Sequence, residues 1–218
     1  MLYFNPGCAM QLYKPQASQK IFALLKEHFP SISFHEICCH YDPKLPTGSQ
    51  VITVCAGCDR RFSRLYEGIS TLSLWQLLEK VENFPFPNYQ GMTLTIHDPC
   101  PVRKKPEVHL AVRNLLAKMN IQVIEAKNHS ENASCCGDIF YEKLPLSQVY
   151  ALMEKRAQDM PCENVCVYCV SCIGAMNTGG KTPRHLLDLL LGEDTNPMSY
   201  DLETWHKHLS QYRVLHSK

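Results

Sequence analysis

The chain has 218 residues, 12 of them cysteine, and its 22 Lys and Arg nearly balance 21 Asp and Glu for a formal net charge of +1. That length supports one large or two small domains around a real hydrophobic core, and the balanced charge leaves no electrostatic footprint for nucleic acid or an anionic membrane. The opening "MLYFNPGCAM" has neither a basic start nor a leader-length apolar core, and no apolar run reaches the length of a membrane span. A cytoplasmic setting is therefore expected, where this many cysteines point to metal or redox chemistry rather than to disulfides.

In chain order, "LYFN" reads as a strand that runs into an Asn-Pro turn and Cys8. Ile21, Leu24, Leu25 and Phe29 then recur at helical spacing. "SISFHEI" is a strand that delivers the chain to the pair Cys38 and Cys39, and "QVITV" is a strand that ends at Cys55 and Cys58. Between them "HYDPKLPTGSQ" is a loop with no room for a crossover helix, so the strand at Gln50 is expected to pair differently or to sit at an edge. A leucine-rich helix around Leu74, Trp75, Leu77 and Leu78 closes this half.

The second half repeats the order. "LTIHDPC" runs from strand into turn at Cys100, and Val108, Val112, Leu115, Leu116 and Met119 mark a helix. Arg103, Lys104 and Lys105 are expected to begin that helix, adding basic charge beside Cys100. "IQVIEA" leads to Cys135 and Cys136, "PLSQVYALMEKRAQDM" is a helix, and "NVCVY" ends at Cys169 and Cys172. A leucine-rich helix at Leu186, Leu187, Leu190 and Leu191 follows, and the tail from Pro197 to Lys218, with Trp205, His206 and His208, reads as an amphipathic helix.

Strands alternating with helices imply right-handed βαβ units. The expected fold class is α/β, with two pseudo-symmetric Rossmann-like βα repeats and largely parallel sheets. The boundaries fall at 1–88 for a shortened first repeat, 89–192 for the second and 193–218 for a C-terminal tail. In such sheets sites gather beyond the carboxyl ends of the strands, where all three cysteine groups of each half fall.

Adjacent cysteines are poorly placed to bond each other, because neighbouring Cα atoms lie only about 3.8 Å apart. Each half instead offers a single cysteine, a pair and a CxxC. Cys162 and Cys166 stand outside this scheme. Aligning strand ends pairs Cys169 with Cys172, whereas aligning Thr71 with Thr182 would pair Cys166 with Cys169; the first is adopted, leaving Cys166 as a buried strand residue. "GAMNTGGKT" misses a P-loop by one residue of spacing, and no GxGxxG is present. His97 and His40 adjoin the cysteines, either to relay a proton or to hydrogen-bond the turn.

The order Cys, Cys-Cys-Gly, Cys-x-x-Cys, given twice, resembles the cysteine-rich CCG domains of the heterodisulfide reductase family, over roughly residues 1 to 192. "HDPCPVR" at 97–103 and "CVSCIGAM" at 169–176 are similar to that family's segments. This chain departs from the pattern at His40, Ala56, Pro101 and Val170.

The resemblance implies a noncubane [4Fe-4S] cluster, one or two per chain. One site would use Cys8, Cys38, Cys39, Cys55 and Cys58, and the other Cys100, Cys135, Cys136, Cys169 and Cys172. Gly137 would admit the chain close to a cluster, and His97 and Arg103 would be the catalytic candidates. Zinc is the rival occupant, above all in the first repeat.

The implied activity is that of an iron-sulfur oxidoreductase acting on a small disulfide or thiol. A ferredoxin-like or flavoprotein redox subunit would serve as its partner. The alternatives are a non-catalytic electron-transfer subunit of a flavin-dependent hydroxyacid or glycerol-3-phosphate dehydrogenase complex, and a zinc-stabilised structural module.

Overall fold

The computed structural model describes residues 1–197 and 201–217. The chain forms two units, Met1–Asn83 with Tyr200–Lys218, and Phe84–Ser199. Within the first unit β1 (Leu2–Asn5), α1 (Cys8–Tyr13), α2 (Pro15–His28), β2 (Ser33–Phe34), β3 (Gln50–Thr53), α3 (Ala56–Leu65), β4 (Ser70–Ser73) and α4 (Leu74–Lys80) follow one another. The second unit holds β5 (Thr93–His97), α5 (Pro106–Lys118), β6 (Gln122–Val123), α6 (Leu146–Gln158), β7 (Asn164–Val167), α7 (Ser171–Thr178), β8 (Thr182–His185) and α8 (Leu186–Leu191). The last helix, α9 (Leu202–Leu215), belongs to the first unit. Residues 198–200 and 218, which fall within the expected tail, lie outside the described residues.

Among the described residues each unit has one four-stranded sheet whose strands pair in parallel, ordered β2-β1-β3-β4 in the first and β6-β5-β7-β8 in the second. The identical order bears out the α/β class and the internal repeat. The central strands carry Val51 and Ile52, or Val165, Cys166 and Val167, all buried, as strands covered on both faces require. Phe4 pairs with Ile52 and Ile96 with Cys166, so Cys166 sits at the register position of an apolar strand residue.

The helices follow from local chemistry. Pro15 and Pro106 occupy first-turn positions, where the missing N–H costs nothing. Ile21 and Leu25 of α2, and Val108, Val112 and Leu115 of α5, turn one buried stripe to the sheet. Ser73 and Gln76 close a capping box on α4. No described helix is long and apolar enough to cross a membrane.

Two expectations are corrected. β3 is an interior strand, paired with both β1 and β4. A crossover needs length rather than a helix, and the chain between Phe34 and Gln50 supplies it as extended loop and turns. The helix after Cys100 starts at Pro106: residues 100–102 form one 3₁₀ turn, and Lys105 is the residue before the helix.

Candidate metal centres

In the first unit the strand ends bring five thiols together. Contacts run from Cys8 to Cys38, Cys38 to Cys39, Cys39 to Cys58 and Cys58 to Cys55. Cys55 takes the N-cap position of α3, which carries Cys58 in its first turn. Gly7, at φ 83°, lets the backbone pass these sulfurs: a Cβ there would stand 3.0 Å from Cys55 Cβ and 3.1 Å from Cys58 Sγ.

The second unit repeats the chain of contacts. Cys100 Sγ lies 3.8 Å from Cys135 Sγ, Cys135 meets Cys136, Cys136 Sγ lies 3.6 Å from Cys172 Sγ, and Cys172 meets Cys169. The pairing of single, pair and CxxC is the same in both units, with Cys55 and Cys58 matched by Cys169 and Cys172. Cys166 is wholly buried in β7, where burial pushes its thiol up. Cys162 is partly exposed, and its backbone N–H donates to Thr95 Oγ1 at 3.2 Å. All twelve cysteines are free thiols.

Neighbouring thiols favour the thiolate form of Cys39 and, through Cys58, of Cys55 in the first set, and of Cys135 in the second. Cys38 and Cys58 draw Cys39 down to about 5, and Cys100 and Cys136 draw Cys135 down to about 2. Cys100, as a donor, is pushed up by Cys135 and by burial. Cys38, Cys39, Cys58, Cys136 and Cys172 are buried, whereas Cys8, Cys55, Cys100, Cys135 and Cys169 keep partial exposure.

Different fasteners hold the two sets. In the first unit Asn5 Nδ2 donates to the His35 and Ile37 carbonyls at 3.1 and 3.2 Å and contacts His35 Nδ1 at 2.9 Å. His35 Nε2 meets the Pro43 carbonyl at 2.9 Å, and Tyr66 donates to the Cys39 and Tyr41 carbonyls. The loop that lacks a helix is thus tied down by neutral groups. His40 is exposed, and partial desolvation with the Arg213 and Arg61 charges pushes it down to about 4.

In the second unit a buried carboxylate is the main fastener. Asp98 takes Arg113 Nη1 and Nη2 at 3.2 and 3.0 Å, the Tyr168 hydroxyl at 2.6 Å and the Ser130 N–H at 2.6 Å. Arg113 also donates to Glu125 at 2.6 and 2.9 Å. Burial opposes ionisation, yet Arg113, Tyr168 and Ser130 hold the carboxyl below its usual range. These partners place Asp98 beside all three cysteine groups: it precedes Cys100 by two residues, Tyr168 adjoins Cys169, and Ser130 begins the turn leading to Cys135.

Of the two catalytic candidates, Arg103 donates from Nη2 to the Ala133 carbonyl at 2.8 Å, steadying the segment before Cys135. His97 is fully buried, and a ring nitrogen lies within 4.8 Å of Cys136 and Cys172 Sγ, a group able to hold a metal ion. Its Nδ1 accepts from Arg156 Nε at 3.2 Å, so the neutral ring carries its proton on Nε2, which has no partner. Burial and the Arg156 charge push His97 down to about 3 and keep the ring neutral. Gly137, at φ 109°, donates its N–H to Cys135 Sγ at 3.4 Å; a Cβ would meet Leu152 and Met153 at 3.2 Å, so α6 also demands glycine here.

Sequence reasoning missed Asp98, Arg113, Tyr168, Arg156 and Arg213. Arg213, from α9, hydrogen-bonds the Cys8 thiol.

No curated protein matches the chain. Among solved structures, a Picrophilus torridus aspartate racemase aligns over 100% of this chain and 99% of its own at 9% identity and a TM-score of 0.34, a similarity that bears on neither fold nor activity. Over residues 94–177, a stretch that includes His97, Asp98 and the five clustered thiols of the second unit, the chain matches the family described as CCG, the cysteine-rich domain.

Proposed function

We propose that the chain is an iron-sulfur oxidoreductase subunit, each cysteine set holding one noncubane [4Fe-4S] cluster, that reduces a small disulfide with electrons from a ferredoxin-like or flavoprotein partner. One observation carries this reading: both units join five thiols in the same unbroken order, from the single cysteine through the pair to the CxxC. A closed zinc site uses four ligands, and the fifth sulfur has no place in it. The residues fit a polynuclear thiolate-held group, since the thiols already converge and are free of disulfides.

Such a cluster supplies one-electron transfer. The chain's own residues hold and shield it. Cys39, Cys58, Cys136 and Cys172 form the dry side, and the partly exposed Cys8 and Cys100 mark the side a small thiol can approach. At the first set a shallow open pocket of about 10 Å³, lined by Cys8, Cys38, Gln11, Glu36 and Tyr212, lets solvent reach the thiols. Cleaving a disulfide to two thiols consumes two electrons and two protons; the partner supplies the electrons and solvent at the open side supplies the protons.

A second reading has its own observation. His97 with Cys136 and Cys172 offers one nitrogen and two sulfurs, a donor set suited to zinc if the ring proton leaves Nε2 for Nδ1 and the Arg156 bond is given up. Iron, acid-labile sulfide and zinc content of anaerobically purified protein separates the two. About four irons and four sulfides per site support the cluster reading; zinc without sulfide refutes it in favour of a structural centre.

A further inference from the structure

Helix α9 closes on the first cysteine set. Leu202, Trp205 and Leu209 form its buried stripe, at the i, i+3, i+7 spacing of one helix face, and it packs against α1, which begins at Cys8. Its last turns then reach the cysteine-bearing segments at three points. Arg213 hydrogen-bonds the Cys8 thiol, and its charge acts on Cys38 and Cys39 as well. The His216 carbonyl accepts the Cys38 N–H at 3.1 Å. Tyr212 lines the open pocket beside Cys8 and stacks on His216 at a centroid distance of 3.9 Å.

Five clustered thiolates carry more negative charge than a metal centre offsets, and stranded charge in a buried site is strongly unfavourable. Arginine suits the task because it stays protonated and presents a fixed fork of donors. In the second unit a cation already lies within the fold: Arg156 is 1% exposed and its charge acts on Cys172. We propose that Arg213 is the resident counter-cation of the first cysteine site and that α9 is the cover that retains its metal. This rests on the first set being a metal site, whether the centre is an iron-sulfur cluster or zinc.

The test uses the full chain, purified and loaded without oxygen, as wild type, Arg213→Gln and Arg213→Lys. A chelator strips the metal while iodoacetamide labels released thiols, and mass spectrometry follows Cys8 and Cys38 separately from Cys100 and Cys135. In R213Q, Cys8 and Cys38 become labelled at least tenfold faster than in wild type while Cys100 and Cys135 keep their rate; R213K, which retains the charge, recovers most of the protection.

Fluorescence of Trp205 reports whether α9 stays docked, as its three buried apolar residues predict for both variants. R213Q labelling at the wild-type rate overturns the role of Arg213 and leaves the metal reading standing. R213K behaving like R213Q overturns the counter-charge argument. Wild-type Cys8 and Cys38 labelling as fast with metal as without it overturns both the first metal site and its cover.

Discussion

Asp98→Asn removes the charge that ties three cysteine-bearing segments together. The carboxylate is wholly buried, whereas Arg113 keeps 20% of its side chain exposed and retains Glu125 at 2.6 Å. Removing one partner of a buried ion pair costs about 3–5 kcal/mol; because Arg113 has a second acceptor and some water, the low end, about 3 kcal/mol, is expected. The amide also turns an NH₂ group toward one of the donors, Arg113, Tyr168 or the Ser130 N–H, that now converge on oxygens. Tyr168→Phe removes one hydrogen bond to the charged group, about 1.5–3 kcal/mol, and the two changes in one chain cost less than their sum because they share a bond. Trp75 and Trp205 both lie in the first unit, so hydrogen exchange at β5 and β7, with urea, is the assay. Cys100, Cys135 and Cys169 should all alkylate faster in D98N. Stability within about 0.5 kcal/mol of wild type, or faster labelling confined to Cys100, would refute the shared anchor.

Two further outcomes follow from the same geometry. Cys169→Ser should abolish metal binding at the second set while Cys166→Ala, whose sulfur lies in the strand core, keeps the full metal complement at some cost in stability; loss of metal in C166A would shift the CxxC assignment by three residues. His35 is buried and held neutral, below its ordinary value of 6.5, by burial. The unfolded chain takes up that proton near 6.5 and the folded chain does not, so the first unit loses stability as pH falls below 6.5, by at most about 1.4 kcal/mol per pH unit for this group. Urea midpoints read by tryptophan fluorescence between pH 7 and 5 test this, and a slope unchanged in His35→Gln refutes it.

The repeat and the cysteine sets could be read from the sequence because each is a local signal: apolar runs of four or five residues, helical spacing, and cysteines at fixed offsets beyond strand ends. β4 and β8 could not. "STLS" and "TPRH" are short edge strands rich in hydroxyls, proline and charge, with no alternation to mark them. α3 was hidden because its CxxC and the charged run Asp59, Arg60 and Arg61 leave only Ala56, Cys58, Asp59 and Phe62 buried. Asp98 looked like the acid of an Asp-Pro turn; its partners Arg113, Ser130 and Tyr168 lie 15, 32 and 70 residues away, and no window spans them. Arg213 belongs to a helix at the far end of the chain from Cys8.

The repeat shares its sheet order and its thiol order but not what stabilises them, and the difference starts at one register position. Asn5 closes β1 where His97 closes β5, and Pro6 then stands where the second unit has Asp98. Without a carboxylate there, the first unit fastens its cysteine loop through Asn5, His35 and Tyr66, neutral contacts worth about 0.5–1.5 kcal/mol each, whereas the bonds to Asp98 are charge-assisted and worth about 1.5–3. The first frame is therefore softer, and its positive charge comes from a helix joined through the C-terminal segment rather than from within the repeat. Metal should leave the first set before the second under a chelator. The order follows from the fasteners alone, since the sulfur count is the same on both sides.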